Sequence, residues 1–290
     1  MDNPFFTGTC TALVTPFLDG KVNYPMVEQL LHRQIESGIR AVVIAGTTGE
    51  SATLTDNEKL ELFRVSKEYA GNRCKIIAGT GSNCTSHAIE LSIAAQELGV
   101  DGLLVVSPYY NKATADGLFS HYLSIAHAVN LPIIMYNVPS RTGVDIPVSV
   151  YQRLSRVPNI IGTKEATSDI TKILHIRSQC AADFSVWSGN DDMTVPIISL
   201  GGIGVISVLS NIYPLETAAM VDAALSGDYI TAAKLQCRLQ PINDLLFCEV
   251  NPIPVKAALK KIGYDCGGCR LPLCSLSKDN QKKIDTFFQK

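Results

Sequence analysis

A lysine near the end of an apolar, β-branched stretch is the residue of this chain best suited to covalent chemistry. The stretch Ile160-Ile161-Gly162-Thr163-Lys164-Glu165-Ala166 is typical of a buried strand. Because side chains alternate between the faces of a strand, Lys164 and Glu165 point to opposite sides and are not direct partners. Burial lowers the pKa of an amine, and a neutral amine can form a Schiff base with a ketone or aldehyde. On the strand alone, a lysine whose ammonium reaches water is the more frequent case. The choice between that case and a Schiff-base lysine therefore depends on the other residues of the chain.

Donors and phenols follow other strand-like runs. The loop Gly46-Thr47-Thr48-Gly49-Glu50-Ser51 offers backbone N–H and hydroxyl groups that suit a carboxylate or phosphate, although a simple tight turn has the same composition. Tyr109 and Tyr110 follow the fourth run, and Tyr136 ends the fifth. Arg141 follows as either an exposed side chain or an anion-binding fork. Together with Lys164, these residues favour a Schiff-base enzyme in which phenols move protons and the threonine loop and arginine hold carboxylates.

Metal chemistry has little support in the sequence. No triad of histidines and carboxylates is visible, and most of the five histidines fall in helical segments, which argues against a metal-dependent aldolase. We therefore predict no metal and no cofactor. Three cysteines cluster near the end of the chain, but without a nearby histidine and with irregular spacing they are interpreted as loop thiols; they are Cys266, Cys269 and Cys274. Asp191 and Asp192, after the seventh run, are expected to cap the next helix.

Strand-like and helix-like segments alternate along the first three quarters of the chain. Such alternation is typical of βαβ units and a parallel sheet, and about eight units close a (β/α)8 barrel. The predicted strands are 9–16, 41–45, 75–79, 102–106, 132–136, 160–164, 184–187 and 204–208. From Pro214 onward only helical patterns appear. We therefore predict an α/β protein: a TIM barrel over 1–213 and a C-terminal helical appendage over 214–290, the latter suited to a subunit contact.

Composition restricts the possible partners and location. The 290 residues carry a formal charge of −2, which gives no electrostatic case for nucleic acid or an anionic membrane. No run of 18 apolar residues is present. The nine scattered cysteines suit a reducing compartment, and Met1-Asp2-Asn3-Pro4 lacks the basic and apolar regions of a signal peptide. We expect a cytoplasmic protein that binds neither nucleic acid nor membrane.

Five stretches together resemble the dihydrodipicolinate synthase family of the pyruvate-dependent lysine-aldolase superfamily, and the resemblance runs essentially end to end. They are Gly46-Thr47-Thr48-Gly49-Glu50, Ser107-Pro108-Tyr109-Tyr110-Asn111, Tyr136-Asn137-Val138-Pro139-Ser140-Arg141-Thr142-Gly143, Gly162-Thr163-Lys164-Glu165 and Asn251-Pro252-Ile253-Pro254-Val255-Lys256. The resemblance implies condensation of pyruvate with L-aspartate 4-semialdehyde to 4-hydroxy-tetrahydrodipicolinate, on the route to lysine and diaminopimelate.

The same resemblance implies roles for individual residues. Lys164 forms the imine with pyruvate, and Thr48, Tyr136 and Tyr110 form a proton relay, with Tyr110 reaching in from a neighbouring subunit of a homotetramer. Thr47 and Thr48 hold the pyruvate carboxylate, and Arg141 receives the carboxylate of the semialdehyde. The backbones of Gly189 and Ile206 line the pocket.

Two alternatives and one regulatory site accompany this interpretation. A sister lyase acting on N-acetylneuraminate or a keto-deoxy sugar acid would share the lysine, and a non-catalytic barrel that binds small carboxylates would need no imine. Many members of the family bind lysine between subunits. By resemblance that effector cleft comprises Ser51, Ala52, Asp56, Lys59, Asn83, His87 and Tyr109. Sensitive members have a glutamate where this chain has His87 and a histidine where it has Asp56, so weak or absent inhibition is predicted.

Overall fold

Eight parallel strands close into a barrel at the centre of the molecule. The computed structural model describes residues 4–289; Met1 to Asn3, on which most of the signal-peptide expectation rests, and Lys290 lie outside the described residues. The strands of the described chain are β1 Gly8–Ala12, β2 Phe17–Leu18, β3 Lys21–Val22, β4 Ala41–Ile44, β5 Lys75–Gly79, β6 Gly102–Val106, β7 Ile133–Asn137, β8 Ile160–Glu165, β9 Ser185–Ser188 and β10 Gly204–Ser207. The barrel order is β1-β10-β9-β8-β7-β6-β5-β4.

Helices connect the strands and continue beyond the barrel. They are α1 Tyr24–Glu36, α2 Asp56–Ala70, α3 Thr85–Glu97, α4 Ala115–Ala128, α5 Pro139–Thr142, α6 Val148–Leu154, α7 Ile170–Gln179, α8 Thr194–Ser199, α9 Pro214–Leu225, α10 Tyr229–Leu246, α11 Ile253–Lys261 and α12 Lys278–Phe288. The predicted TIM barrel with C-terminal helices is confirmed. Helix α9, which the sequence assigned to the appendage, packs on β1 and α10, and the division at residue 213 stays a prediction.

Local signals in the sequence place two of these elements. The capping box predicted at the start of α2 is present, because Thr55 Oγ1 accepts the Glu58 N–H and Glu58 Oε2 accepts the Thr55 N–H. The sequence analysis missed the β2–β3 hairpin. Its turn residues Asp19 and Gly20 both have positive φ values, 50° and 77°, and Asp-Gly between short strands is a strong hairpin signal that could have revealed it.

Apolar side chains fill the barrel below the site. Phe6, directly before β1, stacks on Trp187 of β9 with 4.8 Å between ring centroids. Cys10 and Ile206 belong to the same buried interior cluster, which also includes Tyr136. The barrel is therefore a packed core, as is usual for this fold, and its chemistry is confined to the carboxyl ends of the strands.

Two further features of the described residues bear on the sequence interpretation. None of the helices between residues 4 and 289 has the length and hydrophobicity needed to cross a membrane. The nine cysteines are unbridged, and of the terminal cluster Cys266 is buried, Cys269 half-buried and Cys274 exposed. Burial raises the pKa of the thiols of Cys266 and Cys269 to about 12, so both are held as inert thiols at neutral pH.

Candidate active site

Lys164 and Tyr136 lie side by side on neighbouring strands. The β7–β8 register pairs Tyr136 with Lys164, which places both side chains on the same face of the sheet. The Lys164 Nζ lies 4.3 Å from the centroid of the Tyr136 ring, and the lysine is only 5% exposed. Within residues 4–289, this ammonium makes no hydrogen bond or ion pair. A buried amine left unpaired beside a phenol has the parts of a nucleophile with an adjacent acid–base group.

The next residue along each strand points outward into a saturated network. Asn137 Nδ2 donates to Glu165 Oε1 at 2.6 Å, and the Tyr151 hydroxyl donates to Glu165 Oε2 at 2.9 Å. The Lys172 ammonium lies 3.6 Å from Glu165 Oε2 and also pairs with Asp145. Burial raises the pKa of Glu165, and the Lys172 charge opposes that rise. The prediction that Glu165 is not the partner of Lys164 is confirmed, and the network fixes the register that sets Tyr136 against Lys164.

The threonine loop after β4 is held in a tight turn by close backbone packing. A Cβ on Gly49 would lie 3.1 Å from the backbone of Ala45, so a side chain there would crowd the turn. Thr48 is buried, and its Oγ1 accepts a hydrogen bond from Asn251 Nδ2 at 2.9 Å. Glu50 forms a buried ion pair with Lys256, with 2.5 Å between the carboxylate and the ammonium. The loop is thereby attached at two points to the C-terminal helical region.

Arg141 projects from the short helix α5, which begins at Pro139 and ends before Gly143 at a φ of 69°. Its Nη2 donates to the main-chain carbonyl of Asn251 at 3.3 Å. In the described chain this guanidinium has no carboxylate partner. It is therefore free to bind an anionic ligand through its fork of donors.

A cavity of about 610 Å³ opens over the carboxyl ends of the strands, a size typical of small-molecule sites. Thr47, Tyr136 and Arg141 line it, and so does Asn251. Most of the predicted effector residues border the same space; they are Ser51, Ala52, Asp56, Lys59, His87 and Tyr109. Asn83 is not among the lining residues, and its carbonyl accepts a hydrogen bond from Asn111.

Three other predicted site residues have different surroundings. The Gly189 N–H donates to the Glu165 carbonyl at 2.8 Å, which ties the end of β9 to β8. Ile206 belongs to the same buried cluster of the barrel interior as Tyr136. Tyr110 is 90% exposed, has a φ of 72° and does not line the cavity within this subunit.

The predicted capping role of the carboxylates after β9 is wrong. Helix α8 has no side-chain cap. Asp191 instead accepts hydrogen bonds from the Ser207 hydroxyl at 2.5 Å and from the N–H groups of Val208 and Leu209. Burial raises the pKa of Asp191, and these hydrogen bonds oppose the rise. The carboxylate therefore organises the end of β10 and the residues that follow it.

Fold and site together are those of a (β/α)8-barrel enzyme with a buried lysine at the end of its sixth barrel strand. The sequence profile described as the dihydrodipicolinate synthetase family matches residues 5–290. The chain belongs to the dihydrodipicolinate synthetase family. The resemblance noted from the sequence is thereby confirmed, and so is the assignment to an enzyme of that family.

Individual relatives and solved structures are similar to this chain over nearly its whole length. The 4-hydroxy-tetrahydrodipicolinate synthase of Caldicellulosiruptor saccharolyticus is 47% identical over 280 residues, which cover 96% of this chain and 95% of the relative. Two solved structures are each 41% identical with a TM-score of 0.95. One is the chloride-inhibited dihydrodipicolinate synthase of Acinetobacter baumannii complexed with pyruvate, covering 98% of both chains. The other is the enzyme of Cyanidioschyzon merolae with lysine bound, covering 98% of this chain and 97% of that one.

Proposed function

We propose that the chain condenses pyruvate with L-aspartate 4-semialdehyde to give 4-hydroxy-tetrahydrodipicolinate. The observation that carries the proposal is the Lys164 side chain at the carboxyl end of the barrel, which is buried, has no ionic partner among residues 4–289 and has its Nζ over the Tyr136 ring. Family membership and the names of the relatives support the choice of substrates. The step belongs to the biosynthesis of lysine and diaminopimelate.

The proposed chemistry begins at the pyruvate ketone. The Lys164 amine adds to C2, water leaves, and an imine forms. Loss of a C3 proton gives an enamine, whose C3 attacks the aldehyde carbon of the semialdehyde. The amino group of the second substrate then displaces Lys164 and closes the ring, which returns the free lysine. Each step moves a proton, and Tyr136 is the group beside the amine that can give and take it.

Carboxylate binding is assigned to the two ends of the cavity. Thr47 and Thr48 offer hydroxyl and backbone N–H donors to pyruvate beside Lys164, with the backbones of Gly189 and Ile206 completing the wall. Arg141, which also lines the cavity, receives the carboxylate of the semialdehyde in a charge-assisted contact. Its position in the same cavity as Thr47 and Tyr136 supports a second substrate that carries a carboxylate.

The assembly is proposed to be a homotetramer in which Tyr110 completes the relay of Thr48 and Tyr136 in a neighbouring subunit. Its exposure and its absence from the cavity of its own subunit support this assignment. Inactive Tyr110→Phe and Lys164→Ala chains should regain activity when refolded together, because some sites then contain both groups. Mixed oligomers that stay inactive would place Tyr110 outside the relay. We further propose a cytoplasmic location, in keeping with nine unbridged cysteines.

A substrate comparison tests the proposed reaction. Condensation is measured with pyruvate and aspartate semialdehyde, and cleavage is measured separately with N-acetylneuraminate. Pyruvate and borohydride are then added and the peptide containing Lys164 is examined by mass spectrometry. We expect condensation and a pyruvate-derived adduct on Lys164. Cleavage of the sugar acid alone would assign the chain to the sister lyases, and pyruvate binding without an adduct would make it a binding barrel.

A further inference from the structure

Asn251, in the loop before α11, contacts both the threonine loop and Arg141. It is only 5% exposed. Its side-chain Nδ2 donates to Thr48 Oγ1, and its main-chain carbonyl accepts from Arg141. We infer that Asn251 is a positioning residue that sets the direction in which the Thr48 hydroxyl donates its proton; the inference rests on the proposed function.

The Thr48 hydroxyl can make only a small number of hydrogen bonds. Threonine has one proton to donate and two lone pairs to accept with. The Asn251 amide occupies a lone pair of Thr48 Oγ1 at 2.9 Å. No described residue accepts the Thr48 proton, so the O–H is left to donate towards the substrate and the phenols of the relay. With the amide reversed, the Thr48 hydroxyl would donate its proton to Asn251. That proton could then no longer be donated within the relay.

The side-chain carbonyl oxygen of Asn251 gives a second reason to assign a role to its Nδ2. Asn251 Oδ1 is buried and has no hydrogen-bond partner among the described residues. A buried amide oxygen without a partner lowers stability. An asparagine held there against this cost is explained by what its Nδ2 does, because an apolar residue of similar size would fill the space without leaving an oxygen unpartnered.

The two contacts of Asn251 can be separated experimentally. The contact with Arg141 uses the main-chain carbonyl, which remains after substitution of the side chain. The contact with Thr48 uses the amide, which does not remain. Side-chain variants should therefore slow proton transfer while leaving the apparent KM for the semialdehyde within about twofold of its original value.

Exchange of the pyruvate methyl protons with D2O isolates the step in question. Exchange requires the imine with Lys164, loss of a C3 proton to give the enamine, and return of a deuteron to C3, with no second substrate. Because positioned acid–base groups contribute roughly 10²- to 10⁴-fold, Asn251→Ala should slow exchange by at least about 10-fold. Asn251→Asp should do the same, since the isosteric carboxylate cannot donate and draws the Thr48 proton towards itself.

Asn243 provides a matched control. It is also a buried asparagine of the C-terminal region, is 6% exposed and has an orphaned Oδ1, but it does not line the cavity. Asn243→Ala should have unchanged exchange. If Asn243→Ala and the Asn251 variants share a fall in melting temperature, that shared fall is the general cost of losing a buried asparagine. It is then not counted as an effect on the relay.

Combining variants tests whether Asn251 acts through Thr48. In the Thr48→Val background, Asn251→Ala should cause no further loss of exchange, because the hydroxyl that it orients is already absent. Additive losses, or single Asn251 variants within twofold of the original rate, would overturn the inference. Exchange without condensation in the unaltered chain would refute the proposed second substrate and leave this inference standing. An unaltered chain that neither exchanges nor traps pyruvate would overturn both.

Discussion

Lys164 and Lys172 are two buried lysines on opposite sides of the same sheet wall. Their exposures are 5% and 6%. Lys172, between the sheet and its helices, pairs with Asp145 and Glu165. Lys164, inside the barrel, faces an aromatic ring and has no ionic partner in the described chain. Burial alone therefore does not distinguish the two lysines, whereas the presence or absence of a compensating carboxylate among the described residues does.

The other well-buried lysines follow the pattern of Lys172. Lys256 pairs with Glu50 at 2.5 Å, and Lys59 pairs with Asp56 at 3.3 Å. A paired ammonium is held in its charged form, which cannot attack a carbonyl. The buried lysines of the described chain therefore fall into two groups: those paired with a carboxylate, and Lys164, which is not.

The largest expected effect is the loss of activity in Lys164→Met. Removing a covalent nucleophile costs on the order of 10⁴-fold or more in turnover. Because Lys164 has no ion pair with any described residue, the melting temperature should stay the same or rise. Turnover and thermal unfolding are measured on the same sample. A large fall in melting temperature would mean that Lys164 has a structural partner and that the comparison with Lys172 is mistaken.

Lys172→Met should have the opposite profile, with a large effect on stability. Removal of one partner of a buried pair leaves an uncompensated charge on Glu165, which typically costs about 3–5 kcal/mol in the free energy of unfolding. Denaturant unfolding measures the difference. The double variant Glu165→Gln/Lys172→Met should recover much of the loss, since neither of the two substituted positions then carries a buried charge. If the double variant is as unstable as the single one, the instability of Lys172→Met comes from altered packing and not from an unpaired charge on Glu165.

Local sequence signals predicted the barrel and the two faces of β8 well. Eight apolar runs gave the strands, and alternation placed Lys164 and Glu165 on opposite faces. The partners of Glu165 could not be predicted in this way. Lys172 and Tyr151 reach it from two separate helices, and neither has a local pattern that specifies this contact.

Asn251 shows the limit of sequence reasoning most clearly. It lies 203 residues from Thr48 along the chain, and only closure of the barrel and packing of α11 bring the two together. Its stretch contributed to the family resemblance, but no periodicity or spacing connected it with the threonine loop. Contacts of this kind depend on tertiary packing, whereas the capping box of α2 depends on residues three apart.

Arg141 extends the comparison to a second cation that has no carboxylate partner among the residues the structure describes. Hydrogen bonds to charged groups contribute about 1.5–3 kcal/mol, so Arg141→Leu should raise the apparent KM for aspartate semialdehyde roughly 10- to 100-fold. The KM for pyruvate should change much less. Arg141→Lys, which keeps the charge and loses the fork, should fall between the two. Equal losses for both substrates would indicate a structural role for the contact with Asn251.

The smallest effect is expected from added lysine, whose ammonium would need a carboxylate in the cleft. Asp56 is already engaged, because His87 Nε2 lies 2.9 Å from one oxygen and Lys59 Nζ lies 3.3 Å from the other. Burial acts to raise the pKa of Asp56, but these partners outweigh it and lower the pKa below its usual value, so the carboxylate stays charged and paired. An incoming lysine would have to displace a cation that is already bound.

We therefore expect activity at saturating substrate concentrations to change little as lysine is titrated from micromolar to tens of millimolar. His87→Glu should increase the sensitivity, because it removes one occupant of Asp56 and adds a carboxylate to the cleft. Arginine at the same concentrations controls for ionic strength and charge. Half-inhibition of the unaltered chain below about 1 mM, which corresponds to roughly 4 kcal/mol of binding free energy, would show that a paired carboxylate can still recruit an amine. The presence of an ionic partner would then distinguish the buried lysines from one another, but it would not predict whether a carboxylate of the effector cleft binds lysine.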